Sequence, residues 1–530
     1  MMAELFGEKY VDVVKVGAEE LKPALSYCTH LVYGYAGIDD DKFKAKSLDP
    51  KLDLPESKDV KGGKGNFKSI TALKKIYPSL TILLSVGGNA DVEDPDKYLT
   101  AVIYYIKIHD VLDIGLKLKS QLETPKSRTK FASTISEMAK ENGFDGVDLA
   151  WQFPVVNEKK EKHTWGSFIH KVAKTVGITS KDSKEAEHKE QFTALVREVK
   201  GVLNANNCPY LSVSILPHYV CFSVHLVVYF DFPGLQKYVD HFTLMTYDFR
   251  TPDRVPKLAD HASPFKFVYA DRLAWQNIES QVNKAIALKA DRNKLVLGIS
   301  TYGRTWKMDK DSGKSGAPPV NADGPGEEGT YTKTEGLLAY YEICPHLVES
   351  TAATTSLTLY RINKFINIRI INLFEKVLIR KVNFPCVIIR VPDPSKNLGT
   401  YAFRLPKDDV KGIWISFEEP ETAKQKATYV KQNNLGGIAL MDLSLDDARG
   451  LCDANKYPIL KAVKNILFSR LIHFAQQSLN LGFELFGVKN YILLTDLQRF
   501  KIGTRKKDAF ASKFLPYTLE YKSYIDQCNG

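Results

Sequence analysis

The run Phe144-Asp145-Gly146-Val147-Asp148-Leu149-Ala150-Trp151-Gln152-Phe153-Pro154 holds the residues of this chain best spaced to do chemistry. Its alternation reads as a strand. With a side-chain period of two, Val147, Leu149 and Trp151 share one face, and Asp148, Ala150 and Gln152 share the other. In a parallel barrel the second set points inward at the C-terminal mouth, where such folds carry out their reactions. A carboxyl group at that mouth acts as a general acid. The amide of Gln152 has no proton to give near neutral pH, and Ala150 ends in a methyl group.

Elements able to position such a strand recur along the chain. Seven apolar segments rich in Val, Ile, Leu and Tyr read as strands: Cys28–Gly37, Leu80–Gly88, Gly143–Pro154, Tyr210–His218, Phe242–Arg250, Leu295–Arg304 and Gly436–Asp447. Amphipathic stretches alternate with them. Arg128–Asn142 places Phe131, Ile135, Met138 and Ala139 at helical spacing, and Trp275–Ala290 is a second such stretch. The gap from Arg304 to Gly436 is too long for a βα connection and has Gly/Pro-rich turns at Ser312–Gly329, so it should hold an inserted domain. The alternation predicts a parallel α/β barrel or open sheet.

Four motifs in order now identify a resemblance. Asp145-Gly146-Val147-Asp148-Leu149-Ala150-Trp151-Gln152 resembles the strand-four signature DGxDxDxE of glycoside hydrolase family 18. Ser85-Val86-Gly87-Gly88 resembles its SxGG, Met245-Thr246-Tyr247-Asp248 its MxYD, and Gly436-Gly437 to Asp446-Asp447 its last barrel strand. The resemblance implies a TIM (β/α)8 barrel with a small α+β domain inserted between strands seven and eight. Within the family the likeness is to the insect imaginal disc growth factors, carried by Cys28–Gly37, Leu149–Pro154 and the charged run Lys184–Lys200.

In active members the final Glu of the signature protonates the glycosidic oxygen, and the preceding Asp orients the acetamide that attacks the sugar carbon. Here Gln152 and Ala150 hold those two positions, and Met441 stands where the resemblance implies a Trp flooring the sugar subsite. No catalytic residue is therefore expected. Asp145, Asp148, Gln152, Tyr247, Asp248 and Met441 are the candidate remnant of a sugar cleft, with persistence for purely structural reasons the competing reading. The resemblance further implies a disulfide between Cys344 and Cys452, a secreted growth factor with a cell-surface receptor, or a lectin-like binder of chitin or chito-oligosaccharides. An active chitinase is the third alternative.

Composition bounds the rest. The chain has 530 residues, 44% hydrophobic and 25% charged, an ordinary globular make-up with no apolar run long enough to span a membrane. Its net charge of +11 is concentrated: residues 354–391 carry 7 basic against 1 acidic side chain, 468–530 carry 9 against 5, and 102–120 carry 3 against 2. The remainder balances, so no nucleic-acid partner is expected. None of the seven cysteines forms a CxxC pair, and His163, His170 and His188 lack metal spacing, so neither metal nor cofactor is expected. Gly62-Gly63-Lys64-Gly65 lacks the spacing of a phosphate loop, and Arg505-Lys506-Lys507 reads as a solvated charge run.

The domain reading is a barrel over 10–303 and 413–467, an insert over 304–412 and a tail over 468–530. Residues 102–120, 219–229 and 354–391 interrupt the family pattern, as retained introns would, and the 468–530 tail also departs from it. Strand one, with the partner of Cys28, and a signal peptide are expected to be missing, with Tyr10–Val16 a candidate substitute strand, leaving Cys28, Cys221, Cys386 and Cys528 unpaired and Cys208 a buried or semi-buried free thiol.

Overall fold

The structure, a computed structural model, describes residues 2–6, 18–39, 44–87, 125–151, 185–215, 230–252, 257–266, 276–308, 312, 316–349, 388–406 and 411–468. Eight strands in it pair in parallel: β1 (Met2–Phe6), β2 (His30–Asp39), β3 (Thr81–Gly87), β4 (Gly146–Trp151), β5 (Tyr210–Ile215), β6 (His241–Leu244), β7 (Leu295–Ser300) and β8 (Gly437–Met441). Each neighbours the next, and β1 closes the ring by pairing with β8 (Met2↔Ala439) as well as with β2 (Met2↔His30). Closure removes the exposed edges that an open parallel sheet would leave.

Each of the seven segments read as strands in the sequence contains a barrel strand. The missing first strand is a correction, because Met2–Phe6 occupies that place, while the substitute considered at Tyr10–Val16 lies outside the described residues. The short strand Lys44–Ser47 runs antiparallel to the end of β2 and extends the sheet beyond the ring (Gly37↔Lys46).

Helix Pro125–Asn142 shows how the sequence positions β4. Phe131, Ala132, Ile135 and Ala139 are buried along one face, with Met138 half-buried at its margin. Gly143, at φ +82°, then ends the helix: its N–H reaches Lys140 O, the N–H of Phe144 reaches Ala139 O, and the chain turns directly into the strand. The predicted helix at 275–290 is observed as Ile278–Ala287, capped by Asn277 Oδ1 accepting the N–H of Ser280 at 2.9 Å.

Between β7 and β8 lies a six-stranded sheet in the order Leu337–Ala339, Tyr302–Met308, Gly412–Phe417, Tyr401–Arg404, Ile388–Val391, Leu347–Glu349. Trp306 and Trp414 are directly opposed across two of its strands, with ring centroids 5.5 Å apart, and the Trp414 indole N–H donates to Gly316 O at 2.9 Å. Ile388–Val391 pairs on both sides in this sheet, so the third interrupting stretch gives up its last four residues to the insert. Residues 102–120, 219–229 and 469–530 lie outside the described residues, as do Cys221, Cys386 and Cys528.

Cys344 and Cys452 form the expected disulfide, with Cα atoms 5.6 Å apart across a separation of 108 residues. It ties the insert to the segment that follows β8. Cys28 and Cys208 are free thiols; burial pushes the Cys28 thiol up to about 12, and its S–H reaches Ala24 O.

At the N-terminal end of the barrel, His30, Tyr210 and His241 pack ring on ring, with His30 4.9 Å from Tyr210 and 5.7 Å from His241. The Tyr210 hydroxyl and His241 Nδ1 are 3.1 Å apart. Burial pushes the imidazoles down from 6.5, to about 4 for His30 and about 3 for His241.

Two predictions follow from these anchors. Cys452→Ser should lower unfolding stability by about 4–5 kcal/mol in the chain-entropy picture. Urea unfolding checks it: dithiothreitol should reproduce the loss in the parent protein and do nothing further to the variant. The second concerns pH. Both histidines stay neutral in the fold and become charged in the unfolded chain below pH 6.5, so the unfolded state binds more protons and stability falls as pH drops from about 6.5 toward 3. His241→Gln should flatten that dependence by roughly one proton, read as a shallower plot of urea midpoint against pH.

Candidate functional site

Strand β4 approaches β5 closely because Gly146 carries no side chain; a Cβ there would lie 1.9 Å from Tyr210 O. Two residues on, Asp148 sits inside the barrel at 1% exposure. Ser85 Oγ from β3 donates to its Oδ2 at 2.7 Å, while Ser212 Oγ and Ser214 Oγ from β5 donate to Oδ1 at 2.7 and 3.0 Å. Burial raises this carboxyl above the ordinary range, and the three hydroxyl donors pull against that rise. Asp148 thus joins three adjacent strands.

Ala150 is the next inward residue and is equally buried. Its register partners are Gly87 on β3 and Ser214 on β5, so this level of the barrel has small side chains where the family signature has a second carboxyl. Gln152 lies outside the described residues.

Asp145 does not join this group. It precedes β4 at the N-terminal end of the barrel, about 16 Å in strand length from Ala150, where its carboxylate takes Lys74 Nζ at 2.7 Å and the N–H of Ile82 at 2.8 Å. The structure therefore separates it from the cleft residues it was grouped with.

At the mouth, Tyr247 and Asp248 follow β6. Tyr247 is buried with its ring edge-on to Tyr302 at 6.4 Å, above Gly298, where a Cβ would come within 3.1 Å of the phenol ring. Asp248 adopts a left-handed φ of +55°. Its two oxygens receive Arg304 Nε at 2.7 Å and Nη2 at 2.6 Å in a bidentate pair, and the Tyr302 hydroxyl donates to Oδ2 at 2.7 Å. Met441, the last residue of β8, is half-buried against the same cluster of Tyr247, Tyr302, Tyr341 and Leu445.

Sequence reading missed Arg304 and Tyr302 as site residues. It marked Arg304 only as the end of an apolar segment. The pairing with Asp248 spans 56 residues and leaves no spacing signal, although an arginine closing a buried strand always needs a partner. Arg304 is 2% exposed and lies in the first strand of the inserted sheet, Tyr302–Met308, so the ion pair joins that sheet to the barrel mouth.

Among the described residues no group of three or more His, Cys, Asp or Glu is arranged to hold a metal ion, and no helix is long and apolar enough to cross a membrane. His163 and His170 lie outside the described residues, as does the His188 side chain.

Comparison with known proteins matches residues 9–446 to the model of glycosyl hydrolases family 18. Chitinase-like protein EN03 of Bombyx mori is 42% identical over 448 residues, covering 84% of this chain and 89% of that protein. Imaginal disk growth factor 6 of Drosophila melanogaster is 39% identical over 454 residues, covering 85% and 89%. Among solved structures, catalytic domain 2 of the Ostrinia furnacalis Group II chitinase superposes with a TM-score of 0.62 at 24% identity, covering 88% of this chain and 96% of that one. Human YKL-39, described as a pseudo-chitinase with retained chitooligosaccharide binding properties, gives a TM-score of 0.57 at 21% identity, covering 88% and 98%. With the motif order, the closed barrel and the inserted sheet all in agreement with that match, this chain belongs to glycosyl hydrolases family 18.

Proposed function

We propose that this protein is a non-hydrolytic, secreted member of the family that acts as a growth or differentiation factor by docking onto a cell-surface partner. The observation that carries the reading is Ala150: the level of the barrel directly above Asp148 has a methyl group between Gly87 and Ser214, so no carboxylate stands there to orient an acetamide. The sequence puts Gln152 one inward step further, and an amide supplies none of the roughly 10²- to 10⁴-fold that a general acid contributes. The relatives named as imaginal disk growth factor and chitinase-like protein support the same reading.

A second reading, binding of chitin or chito-oligosaccharides without turnover, is favoured by Tyr247 and Asp248 at the mouth and by the binding stated for YKL-39. Against it, both oxygens of Asp248 are engaged by Arg304 and Tyr302.

The purified protein should release no fluorophore from a fluorogenic chitobioside above the blank; turnover would defeat the non-hydrolytic reading. Gln152→Glu alone should also stay at the blank, because the orienting carboxyl is still absent, whereas Ala150→Asp combined with Gln152→Glu should give a detectable rate. Calorimetry with chito-oligosaccharides separates the two binding readings. Millimolar or absent affinity is expected for the signalling factor, and micromolar affinity would favour the lectin.

A further inference from the structure

The connection from β2 to β3 concentrates charge. From Lys44 to Lys75 the chain has nine lysines against four carboxylates, a surplus of five. Two of these groups drop out of the surface balance in opposite senses: Asp53 is buried against Tyr33 and Ser47, and Lys74 is paired with Asp145. Lys44, Lys51, Lys58, Lys61, Lys64, Lys68 and Lys75 are exposed and Lys46 half-exposed, with Asp49, Glu56 and Asp59 the acidic side chains near them.

Backbone contacts fold this stretch into one compact excursion. The N–H of Lys64 donates to Lys51 O at 2.8 Å, that of Gly65 to Leu54 O at 2.9 Å, and that of Ser57 to Val60 O at 3.0 Å. Gly63 lies against Leu54 and Pro55, where a Cβ would meet Leu54 O at 2.5 Å, so the glycine run lets the two arms close up. Lys51 and Lys64 become direct neighbours, Lys68 lies in the helix Asn66–Thr71 that follows, and Lys58 and Lys61 occupy the connecting turn. None of Lys51, Lys58, Lys61, Lys68 and Lys75 has a carboxylate within ion-pair distance among the described residues.

The chemistry of the patch selects its partner. Ammonium groups are compact, strongly hydrated point charges that suit sulfate or carboxylate groups spaced along a flexible chain. The aromatic residue of the stretch, Phe67, is fully buried, so no ring is offered for base stacking. Ile76 is a lone exposed large apolar side chain beside the lysines, far short of the apolar face that a membrane surface requires. We propose that the lysine-rich excursion Lys44–Lys75 is a docking surface for an anionic polysaccharide chain, built from residues other than Tyr247, Asp248 and Met441 of the mouth and independent of whether the mouth binds or cleaves chitin.

Heparin serves as the probe, with the full-length chain, in 0.15 M NaCl. The parent protein should bind with an affinity that falls as salt rises. Lys58→Glu/Lys61→Glu/Lys68→Glu should weaken binding about tenfold or more, while Arg505→Glu/Lys506→Glu/Lys507→Glu, which changes the net charge by the same amount, should change it less than about twofold. Equal weakening by the two triples, or loss through the tail variant alone, would mean net charge or the tail carries the binding and overturns the proposal. Absence of binding by the parent overturns it too, as does capture by phosphatidylserine vesicles without capture by heparin. Should the charge reversals disturb folding, seen as a changed urea midpoint, the milder Lys58→Ala/Lys61→Ala decides: unchanged heparin affinity in that variant counts against the surface.

Discussion

A carboxyl group at 1% exposure inside a closed barrel must find its hydrogen-bond partners within the protein. Asp148 finds three serine hydroxyls on the strands at either side of β4, and each of those hydroxyls would otherwise be a buried polar group in need of an acceptor. An unsatisfied buried donor costs on the order of 1–3 kcal/mol. The aspartate and the serines therefore hold one another in place: remove the carboxyl and three donors lose their acceptor together. This gives Asp148 a structural reason to persist that is indifferent to sugar, and it fixes the register of β3, β4 and β5 at the level just below Ala150.

The mouth above that level is shaped by a second exchange of charge. The inserted sheet leaves the barrel at the end of β7, and its first strand brings Tyr302 and Arg304 back over the residues that follow β6. A guanidinium at 2% exposure is tolerated only with a fixed counter-charge, which Asp248 supplies through two parallel bonds. The Cys344–Cys452 link fixes the same domain to the segment after β8. The insert is thus held at its root by an ion pair and farther along by a covalent bond, and the aromatic cluster around Tyr247 and Met441 is formed where the two layers meet.

Much of the architecture was legible because it is periodic. Apolar runs such as Leu295–Ser300, buried along their whole length, and the helical face of Phe131, Ile135 and Ala139 announce themselves in the sequence. The first strand did not, since Met-Ala-Glu-Leu-Phe is short and carries a glutamate, and only its pairing with β8 and β2 defines it. Asp145 was grouped with the cleft by its place in a motif, yet it sits an odd number of positions from Asp148 and ahead of the strand. Parity and height along the strand both put it elsewhere. Arg304 was invisible as a site residue because its partner is distant in sequence. The lysine-rich excursion was hidden for the opposite reason: summed over the family-like chain the charges cancel, and a cancelled sum carries no information about where the positive groups gather.

Position 150 shows how fold and chemistry come apart. A carboxylate there would be a second buried like charge one inward step from Asp148, with Gly87 and Ser214 as its nearest strand neighbours. Two such groups in a low-dielectric interior raise each other's pKa and destabilise the folded state unless donors or a ligand offset the repulsion. The catalytic arrangement implied by the family signature accepts that cost because the paired carboxyls do work on a substrate. With alanine at 150 the repulsion disappears, the serine cage around Asp148 is left undisturbed, and the barrel keeps its register without any demand that a sugar be present. A scaffold relieved of that internal conflict is free to present its outer surfaces, whose charge pattern depends on loops such as Lys44–Lys75 and owes nothing to the chemistry of the mouth.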